Sequence, residues 1–334
     1  MASPPYPQRQ ARRVATLTSG RLLVACTYCM AAYLFTELYR GGSSPNPVAT
    51  DKLLTDFRGA TPFQYRILLP LLAHWIAPLL HVSPSQFFTG TTFIASLLLL
   101  YFFRAFLERY MPSTGAILSA PLILIACWFD YTQTSYRFFY PYDVPAVTFF
   151  TGGIILAMER RWEWYYPVFA VSATNRETAL FLTVAFALVL YGQMPVRTLA
   201  VHIAAQTGSI VALKVLLWRT FAENPGAGAF GIQLFVNMRW LWFTCCSGHV
   251  TAESVYLILC AFGGLWIAVP FYWSRKPREL RRLTFVIPLF LLGMFIVANL
   301  NEKRIYSELT PIICAHAAVA LYYAGGDVDR RRAQ

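Results

Sequence analysis

Long apolar runs alternate along this chain with short polar segments. A helix that crosses a hydrocarbon core of about 30 Å needs roughly 20 mainly apolar residues. The runs that we interpret as spans are 21–39, 85–103, 115–129, 144–158, 199–218, 255–273, 283–300 and 310–323. Together with the shorter runs described next, they predict an all-α polytopic bundle of about ten transmembrane or re-entrant helices.

Two regions depart from this pattern. Residues 67–81 are apolar but too few to cross, and they contain two prolines, which predicts an interfacial or re-entrant helix. The runs 165–173 and 179–191 flank the polar sequence Thr-Asn-Arg-Glu at 174–177, and each is too short to cross at 1.5 Å per residue. We therefore expect a helical hairpin that enters from the cytoplasm, with its polar tip in a cavity because lipid would not tolerate it.

Composition supports a membrane protein and argues against a soluble one. Hydrophobic residues make up 57% of the chain, charged residues 13%, and the mean hydropathy is +0.48, whereas soluble domains are about 25% charged. The predicted spans leave no room for a separate soluble domain, so we interpret residues 1–334 as one transmembrane domain. The net charge of +12 is divided among segments between spans, which does not resemble a nucleic-acid-binding surface.

The distribution of charge predicts the orientation. With the N-terminal segment in the cytoplasm, the inner segments hold 17 Lys/Arg and 6 Asp/Glu, and the outer or cavity-facing segments hold 11 and 10. This asymmetry follows the positive-inside rule. We expect an uncleaved signal anchor, cytoplasmic tails at 1–20 and 324–334, and a first extracytoplasmic loop with its interfacial helix at 40–82. The absence of an N-x-S/T sequon favours a bacterial inner membrane.

Polar residues that could carry chemistry recur on the predicted outer side. Charges beside or inside a bilayer cost a few kcal/mol each unless they are paired or solvated, so we expect these residues to share a cavity. A carboxylate there can act as a general base, and arginines can hold a phosphate with two parallel hydrogen bonds. The set comprises Asp51, Asp56, Arg58, Gln64, Tyr65 and Arg66; Asp130, Gln133, Tyr136, Arg137, Tyr140, Tyr142 and Asp143; Asn175, Arg176 and Glu177; and Asn301, Glu302, Lys303, Arg304 and Glu308.

Four short motifs, taken in their order along the chain, carry a resemblance to a known family. They are Phe-Gln-Tyr-Arg-Ile-Leu-Leu-Pro at 63–70, Tyr-Asp-Val-Pro at 142–145, Asn-Arg-Glu-Thr at 175–178 and Glu-Lys-Arg-Ile-Tyr-Ser-Glu-Leu-Thr-Pro at 302–311. With the acidic first loop, they make the whole chain resemble the GT-C superfamily of integral-membrane glycosyltransferases. The resemblance implies a polyprenyl-phosphate-linked sugar donor and a catalytic acid in the first outer loop.

The first loop departs from the family pattern because it lacks a clear D-x-D or D-E pair, which leaves the acid open between Asp56 and Asp51. We prefer Asp56 because it is closer in sequence to Arg58 and to the Gln64–Arg66 cluster. The resemblance then implies transfer of a sugar to a glycan, lipid or protein acceptor on the extracytoplasmic face, most simply with inversion. The phosphate would be held by Arg66, Arg176 or Arg304, and the scheme requires no metal or other cofactor.

Other interpretations stay open at this point. Broken helices and buried charges also suit a transporter or flippase of a lipid-linked or anionic substrate, although we find no internal repeat. Asp143 could cap a helix, Arg66 could be an interfacial anchor, and Arg176 and Glu177 could form a structural ion pair. A non-catalytic assembly protein is a further class, which conservative Asp→Asn changes would distinguish.

Overall fold

The computed structural model describes residues 6–132, 137–226, 232–245, 259–299 and 302–332, and within these ranges the chain is all-helical with no strand. The predicted all-α class is confirmed. The predicted outer residues Gln133, Tyr136 and Asn301 lie outside the described residues.

The α-helices of the described ranges are α1 (Tyr6–Gly41), α2 (Asp51–Thr55), α3 (Leu68–Leu79), α4 (Pro84–Leu107), α5 (Ser113–Ser119), α6 (Leu122–Thr132), α7 (Asp143–Met158), α8 (Trp162–Asn175), α9 (Leu180–Leu190), α10 (Val196–Thr220), α11 (Leu234–Cys245), α12 (Arg278–Leu283), α13 (Val286–Val297) and α14 (Thr310–Arg332). Short 3-10 helices are Phe63–Tyr65, Glu177–Ala179, Ala261–Ala268, Trp273–Arg275 and Lys303–Leu309.

Six helical segments of the described chain are long and apolar enough to cross a membrane: Gly20–Gly41, Pro84–Leu107, Ser113–Thr132, Val196–Thr220, Arg278–Val297 and Lys303–Gly326. Leu68–Leu79, Asp143–Met158 and Glu177–Leu190 are apolar but shorter. These segments indicate a membrane protein with transmembrane helices. The predicted number of about ten spans is not confirmed.

One predicted span differs from the structure. Of 255–273, the first four residues lie outside the described ranges, and the remainder is a short helical turn followed by 3-10 and bent backbone. Phe262, Gly263 and Gly264 have φ of 53°, 62° and 77°. Glycine enters this left-handed region at low cost because it lacks a Cβ. The pair of glycines therefore allows a kink in this segment that hydropathy alone does not reveal.

Segments that we placed on the outer side of the membrane meet at one end of the bundle. The Ser44 N–H donates to the Arg137 carbonyl at 2.6 Å, and an Arg304 N–H donates to the Phe138 carbonyl at 3.3 Å. We call this end, which carries residues 42–66, the loop end.

Segments that we placed on the cytoplasmic side meet at the opposite end. Arg109 lies 3.6 Å from Glu159, and Arg282 donates to the Tyr191 carbonyl at 2.8 Å. We call this end, which carries the turn 275–282, the basic end. The structure thus groups the segments as the charge pattern predicts, and the side that each end faces stays a prediction.

Helix α7 lies at the centre of the bundle. Of its 16 residues, 13 are buried. Glycines make the close packing possible: a Cβ on Gly153 would lie 2.5 Å from the Leu182 side chain of α9, and one on Gly152 would lie 3.2 Å from Phe102 of α4. Because α7 is enclosed by its neighbours, its first residue, Asp143, is buried at the loop end.

The orientation can be tested with two exposed serines at opposite ends. We expect an impermeant maleimide added from outside to label Ser44→Cys and not Ser274→Cys, because the basic end should face the cytoplasm. Protein with its own cysteines only gives the background, and labelling after permeabilisation shows that both positions can react. Labelling of Ser274→Cys alone in intact cells would invert the topology.

Candidate functional site

Asp143 begins α7 at the loop end, and its side chain is turned into the protein. The residue is 1% exposed. Its Oδ2 accepts a hydrogen bond from the Tyr39 hydroxyl of α1 at 3.3 Å, and its Oδ1 lies 3.5 Å from Arg176. It makes no side-chain capping bond to α7, and the residue at the N-cap position is Tyr142. Asp143 therefore belongs to a buried polar site and does not cap the helix.

Arg176 lies between two buried carboxylates. Its Nη1 is 3.5 Å from Asp143 and 3.4 Å from Glu308, which belongs to the 3-10 helix before α14. The hydroxyls of Thr178 and Ser307 donate to the Glu308 carboxylate. We call Asp143, Arg176 and Glu308 the ion triad. It joins three segments that are far apart in sequence.

Arg176 lies at the interruption between α8 and α9, which the sequence predicts as the tip of a hairpin. Helix α8 ends at Asn175, Arg176 is extended with φ −159° and ψ 140°, and α9 follows one 3-10 turn later. Near the basic end, the Tyr165 ring of α8 lies 5.1 Å from the Phe186 ring of α9, so the arms run antiparallel. The Asn175 side chain donates to the Tyr142 carbonyl at 3.0 Å. The break and the inward direction of Arg176 are confirmed, and the tip lies level with the start of α7.

Arg66 follows the 3-10 helix Phe63–Tyr65 and pairs with Glu177. Its Nη2 and Nε lie 3.0 and 3.4 Å from the two carboxylate oxygens, and its guanidinium lies 4.5 Å from the centre of the Tyr142 ring. Burial disfavours the cation, but Glu177 outweighs this effect and holds the pKa of Arg66 well above its ordinary value. Arg176 and Glu177, neighbours in sequence, thus have different partners.

Arg304 stacks on the other tyrosine of the segment before α7, Tyr140. Its guanidinium donates to Glu302 at 2.6 and 3.2 Å and lies 3.8 Å from the centre of the Tyr140 ring. Arginines from the first and the last loop therefore both contact the segment 137–142, through Tyr142 and Tyr140. Such stacking is typical of arginine on an aromatic face.

Several predicted residues of the first loop hold the loop together. Gln64 is fully buried, where its Oε1 accepts from the Gly59 N–H at 2.9 Å and its Nε2 donates to the Leu54 carbonyl at 3.3 Å. Asp51 pairs with Arg40 at 3.1 Å. Gln64 is thus satisfied within the loop, and Asp51 joins the loop to the end of α1. A substrate contact of either residue stays a prediction.

Asp56, Arg58 and Arg137 lie apart from the ion triad. Asp56 is exposed at the C-cap of α2, with its N–H bonded to the Lys52 carbonyl, and Arg58 is exposed two residues later. Arg137 is exposed, and its carbonyl joins the first loop to the second. The structure brings together Arg66, Asp143, Asn175, Arg176 and Glu177, with Glu302 and Arg304 beside them.

Sequence reasoning missed two polar side chains of this region. Tyr39 resembles any other interfacial aromatic residue in the sequence, and nothing local indicates its bond to Asp143. Lys214 had a usable signal: it is the one Lys, Arg, Asp or Glu in the apolar run 199–218. An ionisable residue in such a run is a functional candidate by default.

Some of the buried polar atoms that lack a hydrogen bond belong to these residues. Within the described ranges, the hydroxyls of Tyr65 and Tyr142, the Oδ1 of Asn175 and the Nε of Arg176 have no hydrogen-bond partner. Native proteins leave few such atoms, and those that remain often mark a binding or catalytic site. The loop end therefore has the features of a site for a polar ligand.

Comparisons with protein-family models, curated proteins and solved structures found no match to this chain. The geometry of the loop end is thus the basis of the functional argument.

The ion triad predicts a large effect of removing its single cation. Arg176→Met leaves Asp143 and Glu308 buried without a positive partner, and we expect the free energy of unfolding to fall by about 3–5 kcal/mol. Unfolding of the purified protein in detergent micelles measures this change. Arg104→Met is the matched control, because Arg104 forms a partly exposed i,i+4 pair with Glu108, a type worth about 0.3–0.5 kcal/mol. Equal stability of the two variants would show that the triad does not hold the segments together.

Proposed function

We propose that this protein is a GT-C-like membrane glycosyltransferase that moves a sugar from a polyprenyl-phosphate-linked donor to a glycan, lipid or protein acceptor. The observation that carries the proposal is the gathering of Arg66, Arg176 and Arg304 at one end of a membrane-embedded bundle, each beside a carboxylate. An anionic lipid phosphate at that end would meet guanidinium groups and compete for them with their carboxylate partners. The loop end would face outward from a bacterial inner membrane, with both termini cytoplasmic.

The three arginines suit different tasks. The Glu177 side chain that pairs with Arg66 is 36% exposed, whereas Arg176 is 4% exposed and enclosed by its two carboxylates. A phosphate can therefore reach Arg66 by competing with Glu177, and arginine binds it through two parallel donors. Arg176 would instead fix the segments that present Arg66 and Arg304.

Asp56 is the proposed general base. The oxygen of the acceptor hydroxyl attacks the anomeric carbon, the bond from that carbon to the phosphate oxygen breaks, and its electron pair leaves with the lipid phosphate. Asp56 takes the hydroxyl proton. Arg66 stabilises the negative charge that grows on the phosphate more strongly in the transition state than in the ground state. Exposure of Asp56 on the short helix α2 leaves its carboxylate accessible to an acceptor.

The test is sugar transfer by purified protein with labelled polyprenyl-phosphate donors. Asp56→Asn should lower the rate by about 10²- to 10⁴-fold, the usual effect of losing a positioned base, with unchanged expression because Asp56 is exposed. Glu223→Gln removes another exposed carboxylate at the loop end and should leave the rate unchanged. Loss in Asp51→Asn with full activity in Asp56→Asn would move the base, and full activity in both would remove the first loop from the chemistry.

A transporter or flippase is the second candidate, favoured by the break between α8 and α9 that places Arg176 among residues of other helices. Proteoliposomes distinguish the two functions. Movement of a lipid-linked substrate between leaflets without any new glycosidic bond would support transport and contradict transfer.

A further inference from the structure

A small cleft lies on the side of the bundle, where α10 passes the 3-10 helix Phe63–Tyr65 and the end of α8. Its polar lining consists of Tyr65, Glu177 and Lys214. Its apolar lining consists of Ala173, Ile210, Leu213 and Leu217. The cleft therefore has one polar wall and one apolar wall.

Lys214 lies within a helix of membrane-spanning length. It is six residues before the end of α10, which corresponds to about 9 Å along the helix axis. Its ammonium group lies 4.4 Å from the centre of the Tyr65 ring. Lys214 interacts electrostatically with Glu177 inside the protein, and it is close enough to the helix end to reach lipid headgroups as well.

The second observation is the hydroxyl of Tyr65. Tyr65 is 3% exposed, it lines the cleft, and its hydroxyl has no hydrogen-bond partner among the described residues. A buried hydroxyl without a hydrogen-bond partner is destabilising, because its desolvation is not offset. A phosphate oxygen at the cleft would accept from this hydroxyl and from the Lys214 ammonium together.

Glu177 provides a feature that distinguishes among anionic lipids. Its side chain is 36% exposed and lies at the same cleft, and Arg66 and Lys214 are its cationic neighbours. A carboxylate can accept hydrogen bonds but cannot donate them. A headgroup that carries hydroxyls beyond its phosphate would therefore fit beside Glu177 better than a bare phosphate.

The apolar wall and its surroundings suit a lipid chain. Ile210, Leu213 and Leu217 follow one side of α10, and Val211 and Leu216 on the same helix are exposed. Val211 and Leu216 flank the cleft-lining residues on the helix, and in a membrane these two exposed side chains contact acyl chains. The cleft holds only about 20 Å³, about enough for one water molecule, so a single phosphate oxygen would enter it and the rest of the headgroup would lie at its mouth.

We propose that this lateral cleft binds one anionic glycerophospholipid with a hydroxyl-bearing headgroup, of the phosphatidylglycerol type. Lys214 and the Tyr65 hydroxyl hold the phosphate, Glu177 accepts from a headgroup hydroxyl, and α10 contacts the acyl chains. The site goes beyond the proposed glycosyl transfer and does not depend on it.

The test is native mass spectrometry of the full-length protein in detergent, titrated with phosphatidylglycerol, phosphatidic acid or phosphatidylcholine. We expect one phosphatidylglycerol to bind more tightly than either of the other lipids. Lys214→Gln removes a charge-assisted hydrogen bond and should weaken binding about tenfold or more, and Lys214→Arg should retain it. Lys52→Gln, which removes an exposed lysine at the loop end, is the matched control and should bind as the unaltered protein does.

Tyr65→Phe keeps the ring and removes only the hydroxyl, so it tests the site even where Lys214→Gln fails to fold. It should weaken phosphatidylglycerol binding about two- to tenfold. Unchanged binding in Tyr65→Phe and Lys214→Gln, or equal binding of phosphatidylcholine, would overturn the proposal. Preference for added polyprenyl phosphate over phosphatidylglycerol, lost in Lys214→Gln, would overturn the headgroup assignment and move the site to the lipid donor.

Discussion

The ion triad is the interaction on which the arrangement of the loop end depends. One guanidinium, Arg176, lies between the carboxylates of Asp143 and Glu308, and all three side chains are almost fully buried. A buried charge that loses its partner is strongly destabilising, so each of the three segments is held in place by the other two. The cost of burying one cation with two anions is offset by hydroxyl donors from Tyr39, Thr178 and Ser307.

The position of the triad follows from the packing of α7. Because Gly152 and Gly153 admit side chains of α4 and α9, α7 is enclosed by its neighbours, and its first residue is removed from solvent. The segment just before α7 then becomes a surface on which Arg66 and Arg304 stack. The same arrangement leaves Arg66 with the more accessible carboxylate partner, which is why the proposed phosphate contact falls there.

The positions of the candidate site residues were predictable to different degrees. The break at 174–177 was evident because a polar sequence between two short apolar arms has few tolerable places in a membrane protein. Gln64 was predicted at the site and instead supports the loop backbone, since an amide that can donate and accept serves a turn as well as a ligand. Asp56 was preferred by its proximity in sequence to Arg58 and Arg66, yet it is exposed at the end of α2. Its proposed role as general base requires that the hydroxyl of a sugar acceptor bind beside this exposed carboxylate.

The sequence by itself determined the environment and the helical class, because apolar runs of this length and charge asymmetry suit only a membrane. It also determined that Arg176 must avoid lipid. Only the tertiary structure decided the partners. Arg176 is in extended backbone and Glu177 begins a 3-10 helix, and at this change of backbone Arg176 contacts Asp143 and Glu308 while Glu177 contacts Arg66. Sequence adjacency suggests the wrong pair because ion pairs form between groups that the packing of helices brings together.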